Sequence, residues 1–158
     1  MVKPLLLLDI DGVLCPYGGS SKRGLRPIIG HAYAVIDPQH TPWLKELNGL
    51  YRLAWASFWE RGGNDVIGPV HDLEPLPFIP FNSINPYYRT PKLEAVMEFV
   101  GDEPVAWLDD DLFEDAYKWA HERNLSVPTR LIQTDPEVGL SEREMTQLRS
   151  FGYTFQNS

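Results

Sequence analysis

Leu5-Leu6-Leu7-Leu8 runs directly into Asp9-Ile10-Asp11-Gly12-Val13-Leu14, and this junction constrains the fold more than any other stretch. Four leucines without a polar interruption read as a strand buried on both faces. In extended chain, residues at i and i+2 point the same way, so Asp9 and Asp11 leave the strand end together. Gly12 then permits a sharp departure that a side chain would resist. Two carboxylates held close repel when ionised, so such pairs split their pKa values or hold a divalent cation. A DxDG sequence also fits a surface turn. Its position argues for a ligand site, because the carboxyl ends of buried strands are where open α/β sheets bind ligands.

Composition narrows the classes. A chain of 158 residues with 43% hydrophobic content and five tryptophans is expected to form one globular domain over 1–158 with a real core. The longest apolar run is far too short to span a bilayer, and no signal peptide is evident. One cysteine, Cys15, excludes an internal disulfide framework and fits a reducing, cytoplasmic setting. A net charge of −8 argues against a general nucleic-acid surface, which needs a basic face.

Along the chain, strands and helices alternate. Cys15 to Arg26, with Gly18, Gly19, Ser20, Ser21, Lys22, Arg23 and Gly24, reads as a loop or hairpin tip, and His31 to Ile36 as its returning strand. Thr41 is expected to cap a helix with Pro42 at its first position and Gly49 at its end. A second buried strand spans Tyr51 to Ala56 and stops at Ser57. The Gly- and Pro-rich segment 62–86 is expected to hold one short helix near Asp65 to Leu73, then an extended stretch through Phe78 to Phe81. Thr90-Pro91 opens a helix whose Leu93, Val96, Met97 and Val100 share a face.

Pro104 to Leu108 is a third strand, ending in Asp109-Asp110-Asp111. Phe113, Tyr117 and Ala120 mark a helix face, with Leu112, Ala116 and Trp119 beside it. Arg130 to Gln133 is a fourth strand, and Ser141 with Glu144 makes a capping box in which Leu140 staples to Met145. Within the triple aspartate, Asp111 precedes the periodic helix with Glu114 three positions on, so it is assigned to capping. The alternation implies an α/β fold, a parallel sheet wrapped by helices.

Polar groups therefore end three strands: Asp9 and Asp11, Ser57, then Asp109 and Asp110. A parallel sheet brings such ends to one edge. Lys92 adds a hint of its own, because a cation in the first turn of a helix opposes the helix dipole. A solvated lysine costing a few tenths of a kcal/mol is the plain alternative. Beside the acidic strand ends, a charge aimed at an anionic ligand is the better account.

Asp-Ile-Asp-Gly-Val-Leu resembles the first motif of the haloacid dehalogenase (HAD) superfamily, DxDG(V/T)L. Ser57 after Leu-Ala-Trp-Ala is similar to its second motif, Lys92 to the third, and Val-Ala-Trp-Leu-Asp-Asp to the fourth. Each is weak alone, whereas four in order over nearly the whole chain form a strong match. The resemblance implies a three-layer Rossmannoid fold with a central, mainly parallel sheet flanked by helices. It also implies a phosphoric monoester hydrolase. Asp9 would attack phosphorus and form an aspartyl-phosphate, and Asp11 would protonate the leaving group and then deprotonate water. Mg2+ would be held by Asp9, the backbone carbonyl of Asp11 and Asp109, with Asp110 the further metal candidate. Ser57, Phe58, Lys92 and backbone N–H groups after Asp9 would bind substrate. An acid at position 11 favours phosphoryl chemistry, because the dehalogenases lack one there.

The remaining candidates are weaker. His31, His40, His71 and His121 show no ligand spacing and read as structural or solvated. Cys15 carries no nucleophile signal, although its place after the Asp loop would make it sensitive to oxidation. Trp55, Trp107 and Trp119 read as core, and Trp59 as either core or lining of the substrate site. Neither gap between motifs has room for an obvious cap. By analogy that implies a bulky or macromolecular phosphorylated substrate, or an oligomer that closes the site. Two rivals stay open: a phosphate-accepting regulatory module of receiver type, whose usual order of acids fits poorly, and a HAD-like binding module with little turnover.

Overall fold

The structure is a computed structural model that describes residues 2–18, 24–82 and 84–156. Gly19, Ser20, Ser21, Lys22 and Arg23, read above as loop, lie outside the described residues. Four parallel strands form the main sheet: β1 (Leu5–Leu8), β4 (Arg52–Trp55), β5 (Val105–Asp109) and β6 (Thr129–Gln133), in the order β4-β1-β5-β6. β2 (Arg26–Ile28) and β3 (His31–Ile36) make a separate antiparallel hairpin. Its tip is Ile29-Gly30, with Gly30 at φ +86°, so Arg26 belongs to a strand and not to the tip.

Alternation along β1 explains the layers. Leu6 and Leu8 face α1 (His40–Leu50) and α5 (Glu142–Tyr153), sharing a core with Leu44, Leu47, Met145 and Leu148. Leu5 and Leu7 face the other way, onto α3 (Leu93–Val100) and α4 (Glu114–Arg123), with Val96, Val100, Trp107 and Ala116. Leu6, Leu7 and Leu8 are fully buried, and each contributes about 1.5–3 kcal/mol of transfer free energy. The fold is thus the expected α/β arrangement, a parallel sheet between helices. Among the described residues, no helix is long and apolar enough to cross a membrane.

Helix boundaries depart from expectation where tertiary partners intervene. Thr41 does not cap α1: the helix starts at His40, and Asp37 Oδ1 accepts the N–H of Gln39 at 3.0 Å. Thr41 Oγ1 instead bonds His71 Nδ1 at 2.8 Å. Gly49 does not end this helix, which continues to Leu50. On α4 the buried face is Ala116 and Ala120, while Phe113 and Tyr117 stay partly exposed. The capping box forms as expected, with the Ser141 N–H donating to Glu144 Oε1 at 2.8 Å.

The Gly/Pro-rich segment has a definite role. It forms a π-helical turn (Gly63–Ile67), runs into the short α2 (Gly68–Val70), then returns beside β4. Asn64 ties it down, accepting from Trp55 Nε1 and the Leu76 N–H and donating to the Leu76 carbonyl, each at 2.8 Å. Trp55 and Phe78 then pair as an isolated bridge beside β4. No side chain fits at Gly63, where a Cβ would lie 2.8 Å from the Trp55 ring.

His71 closes this segment onto α1 and is buried. Burial, with the nearby His40 adding to it, pushes its imidazole down from 6.5 to about 4. The unfolded chain takes up that proton near pH 6.5 and the folded chain only near pH 4, so acidification across this interval favours unfolding. Urea midpoints are expected to fall as pH drops through this window, and to fall less in His71→Gln.

Candidate active site

Three strand ends and one helix start meet at the carboxyl edge of the sheet. Asp9 extends the inward alternation of Leu5 and Leu7, and Asp109 does the same after Trp107. Both carboxylates are buried, and between them lies the ammonium of Lys92. Lys92 Nζ is 2.9 Å from Asp9 Oδ1 and 2.7 Å from Asp109 Oδ2, and it donates to the Ala56 carbonyl at 2.9 Å. Lys92 occupies the N-cap position of α3, just ahead of the first turn to which it was assigned. Its side chain reaches away from the helix end and into the acids. Burial alone would pull the ammonium down, but Asp109 and then Asp9 more than offset that and hold it above its ordinary value.

The acids are not equivalent. Asp109 is fully buried and closely hydrogen-bonded: Oδ2 also accepts from Trp107 Nε1 at 3.2 Å, and Oδ1 accepts the Asp111 N–H at 3.0 Å. Asp110 is half-buried and faces the cavity, and burial raises its pKa. Burial, then the charge of Asp109, holds Asp9 well above the usual carboxylate range. One oxygen from each of Asp9, Asp109 and Asp110 lies within 4.8 Å of the others. Three carboxylates face a single ammonium, leaving two negative charges, and their oxygens are hard donors. That set fits a small divalent cation such as Mg2+. The Asp11 carboxylate stands outside this cluster.

Asp111 does not cap α4. The chain after Asp109 stays non-helical through residue 113, and α4 begins at Glu114 with Phe113 at its N-cap. Asp115 anchors the helix instead. Its carboxylate accepts from the Arg89 N–H at 2.7 Å and Thr90 Oγ1 at 2.6 Å, which holds it below the usual carboxylate range despite some burial.

The loop after Asp9 is tightly wound. The Ile10 carbonyl accepts from the N–H groups of Val13, Leu14 and Cys15, and the Gly12 N–H donates to Cys15. These amides are thereby taken out of the expected phosphate-binding set. Gly12 sits at φ +77°, and a Cβ there would lie 2.4 Å from Asp110 Oδ2. Its carbonyl accepts from Thr134 Oγ1 at 2.8 Å, tying the loop to the end of β6. Cys15 is buried, and that burial together with Asp11 and Asp9 pushes its thiol up to about 12. The expected oxidation sensitivity is corrected accordingly, because the reactive thiolate is disfavoured.

Ser57 is buried at the end of β4, and Phe58 is half exposed beside it. Together with Asp9, Asp11, Tyr17, Lys92 and the triple aspartate they line a cavity of about 200 Å3. Every residue proposed from the sequence as catalytic, metal-binding or substrate-binding thus reaches this one cavity. Sequence reasoning missed Tyr17, Thr134 and the polar contact of Trp107. Only Trp107 left a signal, since it lies two residues before Asp109 and shares its face.

A parallel α/β sheet with this acid and lysine arrangement at its carboxyl edge defines a protein of the HAD superfamily. Residues 5–145 match the family described as the HAD domain in Swiss Army Knife RNA repair proteins, and the chain belongs to that family. No curated protein and no solved structure matches it at a significant level.

Two substitutions check the geometry. Gly12→Ala would force a Cβ into a left-handed conformation, costing about 1–2 kcal/mol, and against Asp110; lower stability together with weaker Mg2+ binding is expected by calorimetry. Lys92→Met would leave two buried carboxylates without their partner, a loss of about 3–5 kcal/mol. Urea unfolding measures it, and added Mg2+ is expected to restore part of the loss.

Proposed function

We propose that the chain is a Mg2+-dependent phosphoric monoester hydrolase that works through an aspartyl-phosphate on Asp9. The observation that carries this reading is the Asp9 carboxylate, oriented by Lys92 at 2.9 Å and opening with Asp11 and Ser57 into one small cavity. Membership of a HAD family supports a hydrolase of this type.

Asp9 attacks phosphorus, forming the new P–O bond as the bond to the leaving oxygen breaks. Asp11 gives its proton to that oxygen. It then takes a proton from water, whose oxygen attacks the aspartyl-phosphate and releases inorganic phosphate and free Asp9. Lys92 neutralises charge on Asp9 in the resting state and on the phosphoryl oxygens as they approach. The Ser57 hydroxyl donates to a phosphoryl oxygen. Asp9, Asp110 and the Asp11 carbonyl, with Asp109 behind them, would hold Mg2+, which screens the anionic nucleophile from the anionic substrate.

Cavity size bears on the substrate. About 200 Å3 is below the roughly 300–1,000 Å3 of pockets that enclose a whole small ligand. A phosphoryl group fits and its leaving group lies outside, across Tyr17 and Phe58, which are 61% and 50% exposed. Exposed aromatics suit the stacking of unpaired bases, and the family is described from RNA repair proteins. A phosphorylated RNA end is therefore the substrate class favoured here, recognised locally and not through a broad basic surface. The single thiol favours a reducing, cytoplasmic setting.

Phosphate release from p-nitrophenyl phosphate is expected with Mg2+, abolished by EDTA and reduced about a thousandfold or more in Asp9→Asn. RNA oligonucleotides with terminal phosphates are expected to be better substrates than sugar phosphates. No turnover on any phosphoester by the folded, Mg2+-loaded protein would instead favour a binding module.

A further inference from the structure

Trp59 lies two residues beyond Ser57, in a turn that closes with the Glu60 N–H on the Ser57 carbonyl at 2.9 Å. That turn holds Glu60 at φ +49°, a left-handed conformation uncommon for a residue with a side chain and found most often where function constrains the backbone. Its result is that Trp59 presents two N–H groups to the site. The indole Nε1–H donates to Asp11 Oδ2 at 3.0 Å, and the backbone N–H donates to Ser57 Oγ at 3.1 Å. The ring is partly buried against the core, and the His31 ring of the hairpin lies 5.9 Å from it, tilted by 35°.

We propose that Trp59 is a positioning residue for the acid–base step, acting through Asp11 and, secondarily, through Ser57. This rests on the acid–base role given to Asp11 above. An indole N–H has no lone pair to offer, so Asp11 Oδ2 serves it only as an acceptor. Oδ1 is left as the oxygen that hands a proton to the leaving group and takes one from water. The same logic applies to Ser57. Its oxygen accepts from the Trp59 amide, so its own hydrogen is free to point at a phosphoryl oxygen. Asp11 directly precedes Gly12 and, among the described residues, makes no ion pair with Lys92, so the indole bond is what fixes the rotation of its carboxylate over the cavity.

A role in proton delivery has a signature that mere packing lacks. p-Nitrophenolate departs without a proton, whereas the alkoxide of glycerol 2-phosphate does not. Trp59→Phe keeps an aromatic ring against the core, smaller than the indole, and removes the N–H. Its kcat/KM for p-nitrophenyl phosphate is expected to fall less than about threefold, and that for glycerol 2-phosphate by about tenfold to a hundredfold. In an Asp11→Asn background the same substitution is expected to cause no further loss on glycerol 2-phosphate. Equal losses on both substrates, no loss on either, or an additive loss in the Asp11→Asn background would overturn the proposal while leaving the hydrolase reading intact. A wild-type protein inactive on both substrates would overturn the hydrolase reading, and this proposal with it.

Discussion

One buried ammonium organises the catalytic edge. Lys92 is largely withdrawn from solvent, and a lone charge in that position would cost several kcal/mol. It is tolerated because β1, β4 and β5 each bring it an oxygen, from Asp9, Ala56 and Asp109. The same contacts fix the relative positions of three strand ends and of α3. Stability and site geometry are therefore one problem here. With all three carboxylates ionised the set carries two negative charges beyond the ammonium, which a divalent cation would balance.

Around this centre, polar contacts sort the acids by task. Asp109 is enclosed by Lys92, Trp107 and the Asp111 amide, which makes it a fixed counter-charge. Asp110 stays at the cavity and is approached so closely by Gly12 that no side chain fits between them. Asp11, outside the cluster, accepts instead from the Trp59 indole. Asp9, Asp109, Asp110 and Asp11 thus sit in different environments, although all are the same residue type. Different surroundings let side chains of one type take on different tasks.

Legibility followed how local each signal was. The buried first strand, the acidic pair with its glycine, the third strand with its aspartates and the Ser141 capping box depend on neighbours a few residues apart, and they were readable. Ser57 was readable only through its place in an ordered set of motifs. Caps failed where a distant partner competed. Asp111 and Glu114 have the spacing of a cap, yet Asp115 holds the helix because Thr90 and the Arg89 amide reach it from 25 and 26 residues away. Thr41 likewise turned to His71, 30 residues away. The Gly/Pro-rich segment resisted reading because its order comes from Asn64 bonding the backbone at Leu76 and the Trp55 indole, a pattern without periodicity.

By itself, the sequence determined the class of fold, the sheet edge that carries the chemistry and the identity of nearly every polar group there. These follow from hydrophobic alternation, from glycine's freedom and from the rule that parallel strands share one end. Tertiary structure alone decided which aspartate is enclosed, which stays half-buried at the cavity, and that an indole 48 residues along the chain bonds Asp11. Those outcomes depend on side chains from separate elements competing for the same few oxygen atoms, and such competition is settled only when the elements pack.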